Sequence, residues 1–155
     1  MCGRFSSTVN PEELMNRFRV IITQNLCPRW NVTPSQKATL IVHDGMHTES
    51  ITATWGLQPA GGNKAMLINA RMETASEKPT FSNAFLHSRC IVVASGWYEW
   101  SGPKKAWHIQ LCDGGVMALA GLLFRHGAQS RFVILTSAAD QKLEKIHHRQ
   151  PLVLG

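Results

Sequence analysis

The spacing of apolar positions changes along the chain. Near the start, Leu14, Met15 and Phe18 recur at helical spacing. They follow Asn10-Pro11-Glu12-Glu13, which supplies an N-cap, a proline at the first helical position and acids in the first turn. From Ala38 to Trp55 the pattern becomes two strand-like runs joined around Asp44-Gly45, a hairpin signal. Pro79 to His87 reads as a short helix, with Phe81 and Phe85 at an i,i+4 interval. Beyond it, Cys90–Trp100, Lys105–Gly115, Val116–Phe124 and Ser130–Ala139 read as strands punctuated by Gly and Pro turns. Several of these runs are apolar without alternation, which requires burial on both faces or closure into a barrel. Ala139–Ile146 reads as a short helix leading into His147. The predicted fold class is α+β: a strand-rich, antiparallel, barrel-like domain with short flanking helices. The final Pro151-Leu152-Val153-Leu154-Gly155 resembles the start of a strand more than a tail. Bare apolar edges are a liability, so a missing C-terminal portion or a covering partner is expected.

Length and composition narrow the class. The 155 residues, 44% hydrophobic and 17% charged, fit one domain spanning 1–155 with a real core and exclude disorder. No apolar run reaches the ~18 residues of a membrane span. The start lacks the basic-then-apolar pattern of a signal peptide. The expectation is a soluble, cytoplasmic monomer with no membrane partner. The formal net charge of +6 is compatible with a nucleic-acid-binding face. Scattered basic residues are equally compatible with a solubilising surface.

Cys2, Cys27, Cys90 and Cys112 include no CxxC pair and read as reduced thiols. Packing accounts for Cys27, Cys90 and Cys112. Cys2 differs by its address. Once Met1 is removed, its α-amine and thiol form a 1,2-aminothiol. An α-amine has a pKa of about 7.7–8.0, so a useful fraction is uncharged at neutral pH. Such an amine attacks an aldehyde to give a Schiff base, and the adjacent thiol can close a thiazolidine on it.

Met1-Cys2-Gly3-Arg4-Phe5, Trp30-Asn31-Val32-Thr33-Pro34, Ile68-Asn69-Ala70-Arg71-Met72-Glu73-Thr74, Gly96-Trp97-Tyr98-Glu99-Trp100 and Ile146-His147-His148-Arg149-Gln150-Pro151 occur in that order. Thr136-Ser137-Ala138-Ala139-Asp140 precedes the last. In these segments, from residue 2 to about residue 154, the chain resembles the SOS-response-associated peptidase (SRAP) family of abasic-site-processing proteins. The resemblance implies recognition of abasic sites in single-stranded DNA and a covalent thiazolidine link through Cys2. It also implies a lyase or link-reversal activity and self-removal of Met1.

Carried over residue by residue, the resemblance gives a candidate site. Glu99, in an aromatic setting that should raise its pKa, suits proton transfer; otherwise it is a solvent-facing strand carboxylate. His147 can shuttle protons or bind the opened sugar, whereas His148 reads as surface or structural. Asn69 would hold the sugar near the Cys2 amine; alone, it would read as a turn residue. Arg4, Arg71 and Arg149 are expected to contact phosphates, with Asn31, Pro34 and Thr136 shaping the pocket. Trp30, Trp55 and Trp107 are expected in the core. No second pair at ligand spacing supports metal binding by His147-His148, and no cofactor is expected.

Two departures stand out. Family members often carry base-stacking aromatics after the position of Trp55-Gly56, where this chain has Gln58-Pro59-Ala60-Gly61-Gly62. Weaker DNA binding is the expected result. Family domains also usually extend further, so a shortened domain is expected. Three functions follow: an abasic-site crosslinker, a cysteine peptidase using Cys2 and His147, and a non-catalytic single-stranded DNA-binding module.

Overall fold

The computed structural model describes residues 2–59 and 65–155. In chain order its elements are β1 (Arg4–Ser7), α1 (Pro11–Phe18), β2 (Arg29–Val32), β3 (Lys37–His43), β4 (Thr48–Trp55), β5 (Asn69–Arg71), α2 (Met72–Ala75) and α3 (Pro79–His87). There follow β6 (Arg89–Ala94), β7 (Gly96–Trp100), β8 (Ala106–Ile109), β9 (Met117–His126), β10 (Gln129–Ala138), β11 (Arg149–Pro151) and β12 (Val153–Leu154). The expected start of α1 is realised: Asn10 Oδ1 accepts from the Glu12 N–H at 2.9 Å.

The strands β4, β3, β6, β9 and β10 close a ring. Four of its seams are antiparallel, and the fifth, where Phe132 of β10 lies opposite Trp55 of β4, is parallel. β5 also runs parallel to β10, with Asn69 opposite Ile134 and Arg71 opposite Thr136. Hydrophobic periodicity reports faces, not strand direction, so these parallel seams were invisible in the pattern. Beside the ring lies a four-stranded antiparallel sheet in the order β2-β1-β7-β8.

The run Cys90–Trp100 is two strands, not one. Ser95 separates them: its N–H donates to Ser6 O at 2.7 Å, and its Oγ accepts from the Thr8 N–H at 2.7 Å. The chain thus leaves the ring after β6 and enters the second sheet as β7. Gly96 starts that strand where any Cβ would stand 2.5 Å from Ile109 O. Ala139–Ile146 is a series of turns instead of the expected helix. Within 140–146 only Leu143 and Ile146 escape exposure, too little apolar contact to sustain a helix.

The ring interior holds Leu40, Val92, Leu119, Phe132 and Ile134, with Trp55 at the centre. Phe5 meets Trp55 edge-on at 5.2 Å, Phe132 stacks on it at 6.3 Å, and its indole N–H donates to Ile68 O. Outside the ring, Leu122, Val133 and Leu135 pack with Phe81 and Ala84 of α3, and Ile41 and Val93 with Leu14 of α1. The unalternating runs therefore reflect both closure and burial on both faces. Trp30 and Trp107 depart from expectation at 67% and 40% exposure. Trp107 lies on the edge strand β8, and Trp30 on β2, where the register against β1 shifts. Cys27 and Cys112 are likewise exposed. Among the described residues no helix is long and apolar enough to cross a membrane.

Candidate active site

Cys2 precedes β1 and is fully buried. Burial, reinforced by the Glu99 carboxylate, pushes its thiol up to about 12. Its Sγ lies 3.9 Å from Arg4 O. Glu99 is only 5% exposed, so it is not a solvent-facing strand carboxylate. The alternation of β7 explains this: Trp97 and Glu99 are buried, whereas Trp100 points to the exposed side. Asn69 reaches the same place from β5, its Nδ2 donating to Cys2 O at 2.9 Å. Its Oδ1 is buried without a hydrogen-bond partner among the described residues. An acceptor left in that state is poised for a ligand donor.

A narrow crevice between β7 and the turns before β11 brings Glu99, His147 and Arg149 together. The Arg149 N–H donates to His147 Nδ1 at 2.9 Å. The same Nδ1 lies 3.1 Å from Arg149 O, so the Arg149 backbone holds the His147 ring in place whichever ring nitrogen carries the proton. His148 is exposed and stacks on His147 at 4.4 Å. The Arg149 guanidinium makes a bidentate pair with Glu73, at 2.6 and 2.9 Å. It also donates to Thr136 O at 2.6 Å and Thr136 Oγ1 at 3.1 Å. This pairing holds the Glu73 carboxyl down at about 2. Thr136 itself is buried, its Oγ1 3.4 Å from Ala70 O.

The remaining sequence candidates are dispersed. Arg71 is exposed beside Thr136 at the end of β5. Arg4 lies exposed on β1, donating to Asn31 Oδ1 at 3.2 Å, with its guanidinium 5.9 Å from the Trp100 ring centroid. Pro34 occupies the turn Thr33–Gln36, where Ser35 takes a φ of 71°. The aromatic-free stretch at 58–62 falls partly outside the described residues. Among the described residues, no group of three or more His, Cys, Asp or Glu is placed to hold a metal.

Sequence reasoning missed Glu73, although it sits in the same motif as Asn69 and Arg71. Its only local signal is an acid in the first turn of α2. Trp107 was misplaced in the core.

Fold and site together define a small ring-and-sheet protein whose polar side chains converge on a cysteine at position 2. The family model described as SOS response associated peptidase (SRAP) matches residues 1–155. The chain belongs to the SRAP family. It is 35% identical over 168 residues to abasic site processing protein YedK of Escherichia coli, covering 100% of this chain and 76% of that one. It is 31% identical over 170 residues to abasic site processing protein YoqW of Bacillus subtilis, with 99% and 76% covered. A crystal structure of a protein from Bordetella bronchiseptica superposes with a TM-score of 0.81 at 24% identity, covering 99% of this chain and 84% of that one.

Proposed function

We propose that this chain processes abasic sites in single-stranded DNA by linking Cys2 covalently to the ring-opened sugar. The observation that carries this reading is the convergence of Cys2, Glu99 and Asn69 in one buried place. Removal of Met1, by the chain itself or by an aminopeptidase, exposes the α-amine. The amine adds to C1′ of the aldehyde, and the carbinolamine loses water to give an imine. Sulfur then attacks the imine carbon, its proton passes to nitrogen, and a thiazolidine results.

The elevated thiol pKa keeps that proton on sulfur until the ring closes. Glu99 accepts and returns protons during sugar opening, dehydration and reversal. His147 donates a ring N–H to the opened sugar. Asn69 Oδ1 accepts from the sugar or from the Cys2 amine. Arg71 and Arg4 supply phosphate contacts, and Arg149 contributes where DNA displaces Glu73. A general cysteine peptidase is less well supported, because it needs a readily formed thiolate, whereas burial opposes one here.

Intact mass after incubation with single-stranded DNA bearing one abasic site tests the reading. The expected species is the chain without Met1, joined to the DNA with loss of one water and stable to denaturation. Cys2→Ala should give at most a reversible imine. The same stable adduct from that variant would overturn the proposal.

A further inference from the structure

We infer that Trp107 is a stacking surface for the base of a nucleotide adjoining the lesion. The inference rests on the abasic-site reading above and adds a contact that the sequence had assigned to the core. Trp107 pairs directly with Glu99 across β7 and β8. Residues directly opposite share a face of the sheet. The indole therefore stands on the same side as the buried carboxylate, one strand further out. The neighbouring pair, Trp97 and Ile109, lines the crevice that holds His147.

The ring is 40% exposed, and its orientation is set by an N–H bond to Ser101 Oγ at 2.9 Å. The Lys105 ammonium lies 4.9 Å from its centroid. An oriented aromatic with a cation beside it matches what single-stranded nucleic acid needs: a π-face for a base and a charge for the phosphate. Among the described residues β8 forms the edge of its sheet, with no strand on its outer side. The other exposed face of the same hairpin repeats the arrangement, with Arg4 over Trp100. An abasic nucleotide has no base of its own to grip. A grip on its neighbour positions the sugar without touching the reacting carbon.

The test separates binding from chemistry. Fluorescence anisotropy measures affinity for single-stranded oligonucleotides carrying a non-reactive abasic analogue, with the neighbouring bases present or removed on either side. Trp107→Ala should weaken binding on the order of tenfold when the neighbours are present. Trp107→Phe, which keeps a smaller ring, should lose less. Removing the base on one side should cancel the difference between wild type and Trp107→Ala. With a reactive abasic oligonucleotide, Trp107→Ala should raise the DNA concentration needed for half-maximal crosslinking by a similar factor. An equal loss in all oligonucleotides, or no loss in any, overturns the inference. Absence of any adduct from the wild type overturns the underlying reading instead, and the anisotropy result does not depend on it.

Discussion

Cys2 and Cys90 are both buried thiols, and burial pushes each up to about 12. Their surroundings differ completely. Cys90 lies in the ring wall on β6, opposite Gly121 of β9, among apolar side chains. Cys2 adjoins a buried carboxylate and an amide whose acceptor has no partner among the described residues. Desolvation is common to both and does not make a site. The polar atoms at Cys2, which cost free energy to bury, mark the place where a ligand would repay them.

The sharpest break in this comparison is the paired substitution. Cys2→Ala should eliminate the stable DNA adduct. Cys90→Ala should retain it and lower stability by about 1 kcal/mol, read from denaturant midpoints. Next in size is Glu99→Gln, which keeps shape and removes charge. Single-turnover adduct formation should slow by about a hundredfold, the low end of proton-transfer contributions. The same change removes a charge that raises the Cys2 thiol, so the Cys2 thiolate should appear at lower pH than in wild type. Ultraviolet thiolate absorbance checks this, with Cys90 as the internal control, since the charge acting on it is Arg125 and not Glu99.

The comparison can also be broken from the Cys90 side. A Cβ at Gly121 would stand 2.9 Å from Cys90 Sγ, 3.0 Å from Val92 Cγ2 and 3.1 Å from Val133 O. Gly121→Ala should therefore cost about 1–3 kcal/mol, seen as a lower melting temperature. In the double variant with Cys90→Ala the loss should shrink, because one of the three clashes is gone. Adduct formation per folded molecule should not change in either.

How much of this was legible depended on the physics involved. The hairpin at Asp44-Gly45, the capped start of α1 and the helix Pro79–His87 followed from local chemistry and appear as expected. The unalternating strands called for closure or burial on both faces, but the parallel seam between β4 and β10 left no trace in periodicity. Cys2, Asn69, Glu99 and His147 could be named as candidates because they lie in recognisable motifs. What those motifs could not reveal was pairing. Arg149 reads as a phosphate ligand from its motif, and nothing in that motif shows that Glu73 and Thr136 clamp its guanidinium. Trp107 reads as core because tryptophans usually are buried, and only its place on an edge strand reveals otherwise.

The smallest expected effect concerns that clamp. Arg149 holds the Glu73 carboxyl at about 2, below the ordinary 4.5 of a glutamate. A carboxyl depressed in the folded state contributes stability above its unfolded pKa and loses it as pH falls through the folded value. The contribution should thus be present at neutral pH and disappear between about pH 4.5 and 2. Glu73 is half exposed, so solvent screens the pair and the contribution is small. Glu73→Gln should flatten this part of the acid limb of the stability curve while leaving the neutral plateau nearly unchanged. The clamp also ties β11 to the site, because the Arg149 backbone anchors the His147 ring. In Glu73→Gln the single-turnover rate of adduct formation at neutral pH should therefore fall, which a purely structural bridge would not cause. An unchanged rate would confine Glu73 to holding β11 in place.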